Sequence, residues 1–198
     1  MKCMNYNLVA TLVKERCELD CHWMKTRIIY LLMASIFLVS CQNHYFNSDK
    51  MTRVERVVSG QTIEIADRSV AVPVLEPIRL IGIQAPDIRQ KPWGQEAKIQ
   101  LEKLTLGQEV FLEFDVEEKD RFDNLLAYVW LEKKLINEFL VKEGWALAKP
   151  DFPNTKYMER LIHAQERARI MGLGIWNPDQ PMRQTPAQFR RQNLDKKR

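Results

Sequence analysis

Glu109-Val110-Phe111-Leu112-Glu113-Phe114-Asp115-Val116 alternates without a break, with Val110, Leu112, Phe114 and Val116 on one side. A period of two marks a strand with one face on a core. A few residues on, Leu125-Leu126-Ala127-Tyr128-Val129-Trp130-Leu131 is apolar on both faces, as a central strand covered on two sides should be. Upstream, Val54, Val57 and Val58 precede Gly60, and Ile63 and Ile65 follow it, which predicts a hairpin. Pro73 and Pro77 bracket a connection into a further strand over 78–83. Helices are predicted between these segments. One covers 93–106, with Ala97, Leu101 and Leu104 on one face and Gly107 as its stop. A short one covers 137–143, ended by Gly144, and a longer one carries Tyr157, Leu161, Ala164, Ala168 and Met171 at helical spacing. The pattern predicts an α+β domain, mainly β, in which five short strands form a small barrel with about three helices packed against it.

Composition narrows the function. The chain has 198 residues, 45% hydrophobic and 28% charged, a balance that excludes fibrous and fully disordered classes. No apolar run reaches the ~18 residues needed to span a bilayer. Residues 42–182 hold 19 basic and 22 acidic side chains, whereas 183–198 hold six basic and one acidic. A broad basic face for duplex DNA is therefore not expected on the folded part. Cys3, Cys17, Cys21 and Cys41 all precede residue 42, so the domain has neither a disulfide framework nor a cysteine zinc site. His163 is the one histidine after His44, which rules out a histidine-based triad, and it reads as a helix-surface residue.

The N-terminal region reads as an address. Met24-Lys25-Thr26-Arg27 leads into an apolar stretch over 28–39, broken only by Ser35, and then Ser40 and Cys41. A basic start, an apolar run of this length and a small residue before the cut describe a secretory signal. Leu38-Val39-Ser40-Cys41 resembles the bacterial lipobox, which implies lipidation at Cys41 and an extracytoplasmic, membrane-anchored lipoprotein. Residues 1–23 have no signal character, so translation is expected to begin at Met24. The chain then divides into a leader (1–41), a polar tether (42–51), the folded domain (52–177) and a basic tail (178–198). Without periodicity, the tail is expected to be disordered, and its residues 183–198 dispensable for folding but not for weak binding of anionic partners.

Four ordered motifs say more than the pattern. They are Val57-Val58-Ser59-Gly60-Gln61-Thr62, Arg79-Leu80-Ile81-Gly82-Ile83-Gln84-Ala85-Pro86-Asp87, Trp93-Gly94-Gln95-Glu96-Ala97, and Asp120-Arg121-Phe122-Asp123-Asn124-Leu125-Leu126-Ala127-Tyr128. Together with residues 137–144 they resemble the staphylococcal nuclease (thermonuclease) family over about 52–177. The resemblance implies an OB-fold, a five-stranded Greek-key barrel with packed helices. It also implies a calcium-dependent phosphodiesterase site of acidic side chains and two arginines. Here that site is altered. Gln61 and Gln84 stand where the family has calcium-binding Asp, and Ala85 supplies a ligand through its backbone carbonyl. Asp87 replaces the Glu assigned to activating water. Arg79 matches the first arginine, and Asn124 replaces the second.

Calcium affinity follows the charge count of the ligands, and three carboxylates of the family pattern become one. Asp87 is also a methylene shorter than Glu, and catalytic placement tolerates little of that. Losing one arginine removes a bidentate phosphate clamp. The expected function is a lipid-anchored module with a degenerate catalytic and metal site and little or no hydrolysis. Its ligand would be single-stranded DNA or RNA, or an envelope protein or glycan, bound by a monomer. Trp93, Phe122, Tyr128 and Trp130 are the candidates for base stacking, most of them also expected in the core. The alternative is an active calcium-dependent nuclease, rescued by Arg121 toward a phosphate and by Glu64 or Asp123 as a carboxylate. A structural lipoprotein with a basic tail is the third.

Overall fold

The first hairpin joins β1 (Lys50–Ser59) to β2 (Thr62–Asp67) antiparallel, with Val57 opposite Ile63. The computed structural model describes residues 49–67 and 74–195. The leader, Cys41, most of the tether and Pro73 lie outside them. Gly60 sits in the turn for steric reasons. A Cβ there would lie 2.6 Å from the Ala97 Cβ and 2.9 Å from the Ala85 Cβ, so only glycine lets the hairpin tip meet both neighbours.

From β2 the sheet passes to β3 (Val74–Leu80), antiparallel, with Thr62 opposite Arg79. Pro77, expected in a connection, is inside this strand opposite Glu64. The Leu80 N–H donates to Gln61 O, and alternation along the pair then points the Pro77 nitrogen away from β2. Pairing of β3 with the next neighbour starts only at Ile78, so no ladder bond is lost. On its other side β1 pairs with β5 (Glu109–Glu113), and β5 with β6 (Leu125–Leu131). A parallel contact of β3 with β6 closes the ring. Five strands thus form a closed mixed barrel, the OB-fold expected from the motifs. The two-residue strands β4 (Ile83–Gln84) and β8 (Leu147–Ala148) pair at one end, and β7 (Lys134–Leu135) forms a hairpin with β6.

Packing follows the predicted faces. Val54, Ile63, Ile65, Ile78, Val110, Leu112 and Val129 fill the barrel. Ala97 and Leu101 of α1 (Trp93–Thr105), Leu140 of α2 (Ile136–Lys142) and Leu161 of α3 (Met158–Met171) join the same core. The other face of β6 contributes Leu126 and Tyr128 to a second cluster with Ile81 and Leu135. His163 is on the surface of α3, its side chain 78% exposed. The alternation of 109–116 holds as far as Phe114, but Val116 is 47% exposed because the ladder with β6 ends at Glu113. Glu113, expected to face solvent, is covered. It accepts from Trp130 Nε1 at 2.6 Å and from the Tyr157 hydroxyl at 3.1 Å, and it pairs with Lys156.

The tail corrects the expectation of disorder. After a 3₁₀ turn at Gly174–Trp176, the chain forms a fourth helix, α4 (Pro186–Asp195), one more than expected. Hydropathy periodicity missed it, but its start is written in Thr185-Pro186-Ala187-Gln188. The Thr185 N–H donates to Gln188 Oε1 at 2.9 Å, and the Gln188 N–H donates back to Thr185 Oγ1 at 3.3 Å. This is a reciprocal cap with proline at the first helical position. The segment is tied down by Gln90 Nε2 donating to Gln184 O at 2.6 Å and by half-buried Phe189.

Candidate functional site

The hairpin tip and the segment after β4 place the altered motif positions at one end of the barrel. Gln61 is buried, and its Oε1 accepts from the Ala85 N–H at 2.7 Å, tying the tip to that segment. A buried acceptor used this way is a structural brace. Gln84 is buried on β4 and lines a cleft of about 840 Å³, together with Arg79 of β3 and Asn124.

Asp87 does not line that cleft. Its carboxylate is gripped by Arg89, with Nε to Oδ1 at 2.8 Å and a terminal nitrogen to Oδ2 at 2.9 Å. The Arg89 N–H adds a third bond at 3.0 Å. Gly94 fixes the backbone here, since a Cβ on it would lie 1.9 Å from Asp87 O. The Arg89 side-chain bond is the main reason the Asp87 carboxyl is held below the ordinary carboxylate range, with burial opposing it. A group with a lowered folded pKa contributes stability above the ordinary carboxylate range, lost as pH falls through its own value. Arg89→Ala should move the Asp87 titration upward. Carboxyl chemical shifts followed by NMR against pH would check this, and an unchanged midpoint would refute the assignment.

Asn124 is committed elsewhere. Its Nδ2 donates to Asp120 Oδ1 at 3.1 Å and Oδ2 at 2.9 Å, and Asp120 Oδ1 also accepts the N–H groups of Phe122 and Asn124. Burial works against ionisation of Asp120, but these bonds and the Arg79 charge hold its carboxyl low. Asp123 takes φ 66°, a left-handed conformation that Asp tolerates better than most residues other than glycine. Of the proposed rescuers, Glu64 is paired bidentately with Arg56 at 2.6 and 2.9 Å, and Asp123 accepts from Lys119 at 2.9 Å. Neither carboxylate is free. Arg121 does line the cleft, its guanidinium 4.7 Å from the Phe122 ring centroid.

The donor set does not suit calcium. Among the described residues no three His, Cys, Asp or Glu side chains come together as a metal site. The one motif carboxylate already neutralises Arg89, and the Gln61 amide oxygen is used. Hard cations need several oxygens with net negative charge.

What the cleft does offer is positive charge and exposed rings. Arg79, Lys119, Arg121, Lys149, Arg190 and Arg191 line it, against Glu117, Asp120 and Asp151. Arg190 and Arg191 come from α4, in the segment that the sequence marks as a basic, disordered tail for weak anionic binding. Phe122 is 70% exposed and Phe152 81%, and both border the cleft. Phe152 was also missed. The segment carrying it is held by Asn154, whose side chain bonds both the N–H and the carbonyl of Glu117 at 2.8 Å. Of the other stacking candidates, Tyr128 is fully buried, and Trp130 spends its N–H on Glu113. Trp93 is half-buried away from the cleft, in a second hollow beside Phe189.

A closed five-stranded barrel with a basic, ring-bordered cleft beside the end of β3 is an OB-fold with a candidate binding site. The family model described as "Staphylococcal nuclease homologue" matches residues 77–178. The thermonuclease of Staphylococcus hyicus is 39% identical over 137 residues, which are 66% of this chain and 79% of that protein. The thermonuclease of Staphylococcus intermedius is 39% identical over 128 residues, 62% of this chain and 74% of its own. An uncharacterized endonuclease of Haemophilus influenzae is 30% identical over 166 residues, 82% and 85% of the two chains. The chain belongs to the staphylococcal nuclease family.

Proposed function

We propose that the chain is a nucleic-acid-binding member of its family, with little or no phosphodiester hydrolysis. The observation that carries this reading is the bidentate Arg89–Asp87 pair. The position that should take a proton from water holds a carboxylate that already accepts three hydrogen bonds from Arg89, and the pairing lowers its pKa and so weakens it as a general base. The remaining chemistry of the cleft is attraction. Six cations against three carboxylates favour a polyanion, and two exposed rings favour unpaired bases over duplex. The leader supports a bacterial lipoprotein anchored through Cys41, with residues 42–51 as tether and the domain outside the cytoplasm. A protein or glycan of the envelope would not need such a concentration of cations.

The second reading, a calcium-dependent nuclease, is favoured by the names its relatives carry, two thermonucleases and an uncharacterized endonuclease. One assay divides the two. A labelled single-stranded oligo-dT should bind in fluorescence anisotropy, with affinity falling as salt rises by a slope of about 0.7 per phosphate contacted. Cleavage with saturating calcium should run at least ~10²-fold below that of the Staphylococcus hyicus thermonuclease, the effect of one lost general base. Comparable cleavage rates would establish the second reading. Failure to bind at low salt would defeat the first.

A further inference from the structure

The family's second arginine is absent at position 124, and the Asn124 amide is turned onto Asp120. The same cleft nevertheless receives a guanidinium from another direction. Arg190 lies on the second turn of α4, is half-buried, and lines the cleft with Arg79. Among the described residues, neither Arg79 nor Arg190 has a carboxylate within ion-pair distance. We propose that Arg190, delivered by the C-terminal helix, and Arg79 together grip one phosphodiester of a bound nucleic acid. This rests on the reading of the cleft as a nucleic-acid site.

Three observations favour a grip over a plug. Two half-buried guanidiniums that line one cleft with no carboxylate in ion-pair contact repel each other, and an anion between them relieves that repulsion. Burial, and after it the Arg79 charge, holds the Arg190 guanidinium below its ordinary value, and Asp87 pulls the other way. The helix that carries Arg190 is also the wrong sign for a mimic of the ligand. Residues 183–198 have six basic side chains and one acidic, so they cannot occupy an anion site as a phosphate strand would. Finally, α4 is capped at Thr185 and anchored by the Gln90–Gln184 bond, so Arg190 is presented on a rigid element. Preorganised guanidinium pairs are the side chains best matched to phosphate oxygens.

The test is binding of labelled single-stranded oligo-dT to the full chain and to Arg79→Ala, Arg190→Ala, Arg190→Lys and Arg169→Gln. Arg169 stacks over Trp176, outside the cleft. Each alanine variant should weaken binding about tenfold, the loss of one charge-assisted hydrogen bond. The two alanine substitutions combined should lower the salt slope by about 0.7, one phosphate contact on a single strand, and each alone by a fraction of that. Arg190→Lys should keep the slope and recover only part of the affinity, because a point charge lacks the fork. Arg169→Gln should bind as the unaltered chain does. If Arg79→Ala weakens binding and Arg190→Ala leaves affinity and slope unchanged, the cleft reading stands and the Arg190 proposal falls. Tighter binding by Arg190→Ala would make α4 an obstruction and would also overturn it. If the unaltered chain does not bind oligo-dT, both fall together. Unchanged melting temperatures would exclude misfolding of the variants as the cause of any loss.

Discussion

Gln61→Asp, Gln84→Asp and Asp87→Glu, combined in an Arg89→Ala background, are expected to raise calcium affinity at least tenfold and DNA cleavage by about 10²-fold or more. The carboxylate count at the motif positions rises from one to three, and ligand charge sets calcium affinity. Arg89→Ala is needed because Asp87 is now held by three bonds to Arg89, and a longer Glu would still be within its reach. Gln61→Asp gives up the brace to the Ala85 N–H, so some of the gain is offset by a looser hairpin tip. Asn124 is left in place, since it holds Asp120 and since Arg190 already brings a guanidinium to the cleft. Calorimetric calcium titration and a timed assay on single-stranded DNA provide the readouts. An unaltered chain that already cleaves as fast as the combined variant would sink the degenerate-site reading. A combined variant that becomes active only when Asn124→Arg is added would show that Arg190 does not replace the family's second arginine.

Asn137→Leu should lower the melting temperature by on the order of 10 °C, the largest loss expected from any single polar side chain here. Asn137 is fully buried on α2 and faces the junction of two strands. Its Oδ1 accepts the Val129 N–H of β6 at 2.9 Å, and its Nδ2 donates to Ile81 O, just beyond β3, at 2.8 Å. Leu has a similar volume, so the effect is not a cavity. It is two buried backbone groups left without partners, at about 1–3 kcal/mol each. Those groups flank the parallel β3–β6 contact that closes the barrel. Thermal melts and urea titration at constant m-value would measure it. A loss of only a degree or two would mean that water or a neighbour satisfies both groups.

The tail shows where a sequence pattern misleads. Residues after Trp176 lack hydropathy periodicity because the face that α4 buries is Pro186, Phe189, Arg190 and Asn193, half of it polar. The helix is held by a cap, a hydrogen bond to Gln184 O and one half-buried Phe189. The signature Thr185-Pro186-Ala187-Gln188 was legible, but a helix start without a continuous apolar stripe has little to distinguish it from a polar loop. Pro77 misled for the opposite reason, since a proline suits a strand wherever its nitrogen faces no partner.

Much of the barrel was determined by the sequence alone. Period-two patterning in β5, the doubly apolar β6 and the helical spacing of α1 and α3 each report a local preference coupled to one buried face, and such preferences survive folding. The altered motif was equally legible, because the identity of Gln61, Gln84, Asp87 and Asn124 is a property of the chain. What those side chains do was not. Asp87 is half of an ion pair through a local contact with Arg89, two residues on, whereas whether the basic tail meets Arg79 depends on contacts between residues distant in the chain. Sequence spacing carries no information about which distant charges come to share a cleft. The tertiary structure decided that the Asp87–Arg89 pair sits against α1 at Gly94 and that Arg190 lines the same cleft as Arg79, because the docking of α4 fixes where that distant charge sits.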